Sequence, residues 1–106
     1  IVILPIKQSS QPSGQSVALQ AMSTGTPVMI TKTVGFWDLQ LFKDNENIFF
    51  VKGTSVDDWR NKFDFLFNNS NMLKNISINA RKTIEDKYTV EKFLSKLNNH
   101  LDDIKL

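Results

Sequence analysis

The residues Gln11-Pro12-Ser13-Gly14 lead into a stretch that reads as a helix from Gln15 to Thr24. A helix start of this kind can do chemistry on an anion without carrying a formal charge. Its first turn leaves the N–H groups of Gln15, Ser16 and Val17 without intrahelical acceptors, and they carry the positive end of the helix dipole. Gly14 lets an anion reach the backbone with no Cβ in the way. Ser16 adds a hydroxyl donor. Gln20, one turn further on the same face, can hydrogen-bond a group attached to that anion. The same residues also read as an ordinary helix in which Ser13 is the cap and Gly14 a turn glycine. One glycine at a helix start does not separate the two readings.

Other groups carry weaker chemical signals. Asp57-Asp58 reads as a pair of acids for glycoside hydrolysis, but at a helix start the pair also serves the helix dipole. Phe36-Trp37 suits a stacking platform for a sugar or base, and equally a place in the core. Lys32 and Lys43 are candidates for the phosphate side of a cleft. His100 falls on the polar face of the last helix. It is the one histidine of the chain, and cysteine is absent. A thiolate metal site, a cysteine nucleophile and a disulfide framework are therefore excluded, as is any Ser-His-Asp arrangement without His100. No metal site and no bound cofactor are expected.

These residues need elements to hold them. Ile1–Ile6 is an apolar run of the buried-strand kind, and Lys7–Gly14 is a loop of turn-forming residues. In the helix that follows, Val17, Ala18, Ala21 and Met22 share one face, while Ser16, Gln20 and Ser23 share another. Gly25 stands where a C-terminal cap belongs, and Pro27 stops the helix. Pro27–Thr31 is a second strand, which completes a right-handed βαβ unit with parallel strands. Phe36–Phe42 reads as a short helical turn, Asp44–Asn47 as a turn, and Ile48–Val51 as a third buried strand. Ser55-x-x-Asp58 resembles a capping box for a helix with Val56, Trp59, Phe63, Leu66 and Phe67 on one face. A second helix from near Ser70 buries Leu73, Ile76, Ala80 and Ile84. A third starts at Thr89, with Val90, Phe93, Leu94, Leu97, Leu101 and Ile104 in helical register.

Length and charge set the limits. A chain of 106 residues makes one domain, and 41% hydrophobic with 23% charged residues is an ordinary globular balance. No run approaches the ~18 apolar residues of a membrane span. The net charge is only +2 and its lysines are scattered among acids, which argues against nucleic acid as a partner. No secretory leader is recognisable, so the expected location is cytoplasmic, with a peripheral position at the inner membrane face as a further option. The chain opens inside an apolar run without Met, and three parallel strands with both edges open make a small sheet. The expectation is a single partial domain over 1–106, cut from a longer chain that supplies further strands.

The run from Gln11 to Met29 resembles the nucleotide-sugar motif of GT-B glycosyltransferases of the retaining group 1, or family 4, type. The family pattern is a Gly-rich loop, then Glu-Ala-Met, then Gly-Thr-Pro-Val. Here stand Gln20-Ala21-Met22 and Gly25-Thr26-Pro27-Val28. Gly35 resembles the family glycine after the next strand. Asp44–Asn47 followed by Ile48–Val51 resembles the family's Asp-Gly-Glu-Asn-Gly turn and strand, and Arg81 and Tyr88-Thr89 also fit. The pattern carries two glutamates, and both are missing. Aligning on Ala21-Met22 puts the second at Gln20 and the first at Pro12; aligning on the loop makes the first Gln11.

The resemblance implies the C-terminal, donor-binding part of a Rossmann-like α/β domain, with about three parallel strands followed by a helical tail. It implies transfer of a sugar from a nucleoside-diphosphate sugar to an acceptor, without a metal and with retention. Gly14, Gln15, Ser16 and Val17 would hold the diphosphate, Gln20 the ribose, and Gln11 a hydroxyl of the donor sugar. Glutamine binds a hydroxyl but cannot stabilise a developing positive charge as a carboxylate does. The partners implied are the nucleotide-sugar donor, an acceptor and the N-terminal domain of the same parent chain, and this piece alone would turn nothing over. A degenerate, non-catalytic nucleotide- or sugar-binding module is the alternative, and a nucleotide-sugar epimerase of the same architecture a further one.

Overall fold

The computed structural model describes residues 1–104. Strand β1 (Val2–Leu4), helix α1 (Gln15–Ser23), strands β2 (Val28–Thr31) and β3 (Phe49–Val51), and helices α2 (Val56–Phe67), α3 (Ser70–Lys87) and α4 (Val90–Asp103) follow in chain order. The strands form one parallel sheet in the order β1-β2-β3. Val2 pairs with Val28, Leu4 with Ile30, and Ile30 in turn with Phe50. Central β2 is buried at every residue, as expected for a strand covered on both faces.

The two faces bury different sets. On one, Val28, Ile30 and Phe50 pack with Ala18 and Met22 of α1 and with Ala80 and Ile84 of α3. On the other, Met29, Phe49 and Val51 pack with Leu66 of α2 and Ile76 of α3. The strands thus alternate their side chains between two layers, and α3 contributes to both.

Helix α1 ends in a Schellman turn: Gly25, at φ 75°, donates to Met22 O and Thr26 donates to Ala21 O. Helix α3 grips this end. Arg81 Nη1 donates to Ser23 O at 2.6 Å, and Ser77 Oγ donates to Gly25 O. The buried face of α1 differs from the expected one. Val17 is 49% exposed, while Ala18 and Met22 are fully buried. Helix α1 lies on the sheet through an alanine, whose small side chain permits close approach, and Val17 is turned about 100° away from it.

The short helical turn expected over Phe36–Phe42 is reduced to a run of turns with a single helical bond, Phe42 N–H to Asp38 O. The Asp38 carboxylate takes the N–H groups of Gln40 and Leu41, which competes with helical bonding. Two more expectations are corrected. In α2, Val56 and Phe67 are exposed and Leu66 is the buried residue. In α4 no residue is buried, although Phe93, Leu94, Leu97 and Leu101 line one face. Thr89 does cap α4, through Lys92 N–H.

The two sheet edges are also unlike. On the outer side of β3, the Phe50 N–H donates to Asp44 Oδ1 and Asn45 N–H donates to Ile48 O. The turn from Asp44 to Asn47 therefore closes that edge, whereas both edges were expected to be open. Buried Asn47 pins this turn to α3 through Thr83 Oγ1 at 3.0 Å. Among the described residues no helix is long and apolar enough to cross a membrane.

Candidate functional site

The site grows from the loop between β1 and α1. Pro5 ends the strand, and the next residue is already tied down. Ile6 N–H donates to Thr31 Oγ1 at 2.9 Å, which uses the hydroxyl of a buried threonine at the end of β2. The loop then runs over the carboxyl end of the sheet and enters α1 at Gly14. In an open parallel sheet this is the end at which ligands bind.

Gly14 is the N-cap of α1, in the left-handed region at φ 78°, and no side chain caps the helix. The reading with Ser13 as the cap is therefore corrected. The first helical bond runs from Ala18 N–H to Gly14 O. The N–H groups of Gln15, Ser16 and Val17 precede it and have no capping side chain. The first turn carries no acid that would oppose an anion.

The role of Gly14 also changes. A Cβ there would stand 3.3 Å from the Cδ1 atoms of both Ile30 and Ile6, so it would point into the core. Glycine is required by the positive φ and by that packing, rather than by a ligand's path. Ser16, Val17 and Gln20 are exposed along one side of α1, and Gln11 is exposed in the loop; Gln15 is half-buried. The structure thus brings Gly14, Gln15, Ser16, Val17 and Gln20 together on one helix, with Gln11 in the strand-to-helix loop that enters it.

The remaining candidates fall elsewhere. Asp57 and Asp58 lie in the first turn of α2, and Asp58 belongs to a capping box with Ser55. Phe36 and Trp37 stack on each other with centroids 3.9 Å apart and meet Phe42 edge-on, an apolar cluster rather than a free platform. Lys32 lies with its Nζ 5.7 Å from the ring centre of Phe50, and Lys43 turns to Leu39 O. His100 is exposed. Next to Trp37, Tyr88 has its hydroxyl pKa raised by burial and by the charge of Asp38, with the Trp37 indole pulling the other way.

One charged pair escaped sequence reasoning. Lys62 Nζ lies 2.9 Å from Asp44 Oδ1, both side chains largely covered, and beneath it lie the rings of Phe49 and Phe65. The partners are separated in sequence by a strand and half a helix, so no local pattern announces them. Since Asp44 also caps Phe50, the pair is part of the β3 edge closure.

The geometry can now be set beside known proteins. The model of the family described as "Glycosyl transferases group 1" matches residues 8–83, from the loop before α1 into α3. The chain belongs to the group 1 glycosyl transferases. Its fold is a partial Rossmann-like GT-B C-terminal domain. Among solved structures it is similar to the C-terminal domain of a glycosyl transferase group 1 family protein (LpcC) from Francisella tularensis. That likeness has 27% identity and a TM-score of 0.67, over 84% of this chain and 43% of the other. It is also similar in fold to Anabaena Alr3699/HepE, solved in complex with UDP and glucose, at 19% identity and a TM-score of 0.75, over 92% of this chain and 26% of that one. No curated protein matches the chain. This glycosyltransferase segment therefore spans less than half the length of the solved structures it resembles.

Within the group 1 family match lie the entire strand-to-helix loop from Gln8, helix α1 and the closed turn at Asp44–Asn47. Helix α4, with its exposed apolar face, lies outside it. Arg81, one of the residues that fits the glycosyltransferase pattern, holds the C-terminal end of α1 and so fixes the direction in which its N-terminus points.

Proposed function

We propose that this segment is the nucleotide-sugar donor-binding part of a retaining glycosyltransferase, which moves a sugar from a nucleoside-diphosphate sugar to an acceptor. The observation that carries the reading is the N-terminus of α1, entered through a glycine at φ 78°, uncapped by any side chain and free of acids in its first turn. The diphosphate sits on the N–H groups of Gln15, Ser16 and Val17, with the Ser16 hydroxyl as a further donor. Gln20 takes a ribose hydroxyl and Gln11 a hydroxyl of the donor sugar. The donors are preorganised by the helix, so the charge that grows on the leaving diphosphate meets dipoles already in place, and no metal is required. The UDP and glucose bound to the fold relative HepE support a donor of this chemical class.

Glutamine at positions 11 and 20 favours a second reading, a non-catalytic nucleotide- or sugar-binding module. Calorimetric titration of the intact protein with UDP, GDP and ADP tests the binding common to both readings, and we expect one of the three to bind. If none binds, both readings fail. Release of nucleoside diphosphate from UDP-glucose, GDP-mannose or ADP-glucose in the presence of acceptor separates them: turnover supports the transferase, and binding without turnover supports the module.

A further inference from the structure

The chain has four glycines, and Gly14 and Gly25 are explained by their positive φ. Gly35 is different. It does not adopt a positive φ, so backbone conformation does not demand glycine there. Space does. A Cβ on Gly35 would stand 2.5 Å from the carbonyl carbon of Ser10, 2.6 Å from Ser10 O and 2.7 Å from Gln11 O. All three are backbone atoms, so the clash cannot be relieved by turning a side chain. Gly35 is therefore the floor on which the Ser10–Gln11 peptide rests.

A second contact fastens the same two segments. The Gln8 side-chain amide donates from Nε2 to Lys32 O at 3.0 Å and accepts Val34 N–H on Oε1 at 3.3 Å. It bonds the backbone just beyond β2 much as a neighbouring strand would. With Ile6 N–H on Thr31 Oγ1, the loop that carries Gln11 is held at successive points by the segment from Thr31 to Gly35. Ser9 Oγ takes the Gln11 N–H at 3.0 Å, which tightens the turn between them.

We propose that Gly35 and Gln8 are positioning residues, which hold the Ser9–Pro12 loop so that Gln11 faces the donor sugar while α1 holds the diphosphate. The role assigned to Gln11 rests on the donor-site reading above; the clamp itself rests on the contacts alone. Its consequence is a division of labour. The diphosphate is bound by α1, whose position is set by the sheet and by Arg81. The sugar is met by a loop whose position is set by Gly35 and Gln8. A misplacement of about 1 Å in a group that orients a substrate can cost on the order of a hundredfold.

The test uses Gly35→Ala and Gln8→Ala in the intact protein. Gln8 is exposed, so its variant keeps the proposal testable should Gly35→Ala fail to fold. Amide hydrogen exchange reads the loop directly, and titration compares UDP, GDP and ADP with UDP-glucose, GDP-mannose and ADP-glucose. In both variants exchange should quicken at residues 9–11 and stay unchanged in the body of α1. For Gly35→Ala the affinity for the nucleotide sugar should fall about tenfold or more, with the bare nucleoside diphosphate changed by less than about threefold. For Gln8→Ala the same split should be smaller, about twofold to threefold, because an exposed side chain contributes less. Unchanged exchange at residues 9–11 in both variants overturns the clamp. So does a parallel loss of both ligands, which is the mark of simple destabilisation. If the unaltered protein binds none of the six ligands while the variants still loosen residues 9–11, the clamp stands and the donor-site reading falls.

Discussion

Helices α1 and α2 both begin where the chain leaves the carboxyl end of a strand, yet their first turns are built in opposite ways. At α2, Ser55 Oγ accepts Asp58 N–H at 3.1 Å, and Asp58 Oδ2 accepts Ser55 N–H at 3.1 Å. Gly53 leaves the room that this carboxylate occupies. Asp57 adds a second negative charge. Helix α2 thus caps its Asp58 N–H and its Ser55 N–H from within and sets two acids against its dipole, which disfavours an anion there. Helix α1 has a glycine for its cap, no side-chain bond and no acid. With glycine as its cap it forgoes only a few tenths of a kcal/mol of capping stability. What it keeps is a set of donors free to meet an anion. Equivalent places in one sheet can serve stability or binding, and the first-turn side chains decide which.

The contrast can be broken from the α1 side first. Gly14→Val places a branched side chain at φ 78° with its Cβ against Ile6 and Ile30. It should lower stability by about 1–3 kcal/mol in urea unfolding and displace the first turn of α1 enough to weaken nucleoside-diphosphate binding as well. Ser16→Glu makes α1 resemble α2 by adding an acid to the first turn. The fold should keep its stability, and nucleoside-diphosphate affinity should fall about tenfold or more, which is about 1.4 kcal/mol. Unaltered affinity would mean that the anion sits elsewhere.

The α2 side sharpens the comparison. Ser55→Ala removes the cap and should cost about 1 kcal/mol of stability in the same unfolding experiment. It should leave nucleotide affinity untouched, since nothing is expected to bind there. The smallest effect is expected from Gln20→Ala, which removes one hydrogen bond worth about 0.5–1.5 kcal/mol. It should reduce binding of nucleoside diphosphates while inorganic pyrophosphate binds as before. An equal loss for both ligands would remove Gln20 from the ribose.

Much of this was legible in the residues. Apolar β-rich runs bounded by Pro and Gly marked the three strands, and Gly25-x-Pro27 marked the end of α1. Ser55-x-x-Asp58 and Thr89 marked the starts of α2 and α4. The anion site was half legible. The residues were found, but the spacing could not tell whether Ser13 or Gly14 was the cap. That choice depends on the φ of Gly14, which is set by how the loop passes over Ile6 and Ile30. The Asp44–Lys62 pair and the Gly35 floor were not legible at all, because each joins segments whose distance in sequence carries no periodic signal.

Local pattern determined the order of elements, their type and the parallel sense of the strands, because hydrophobic period, caps and crossover length act over a few residues to a few tens of residues. Which side of an amphipathic element finds a partner was decided only in three dimensions. Helix α4 has the cleanest apolar stripe in the chain and none of it is buried, whereas α1 turns Val17 outward and buries Ala18. Burial belongs to pairs of surfaces, and a sequence read along its length specifies one surface of each pair. The closed β3 edge, the free first turn of α1 and the loop seated on Gly35 all arise where two distant segments meet. That is why the chemistry of the site was written in the sequence and its geometry was not.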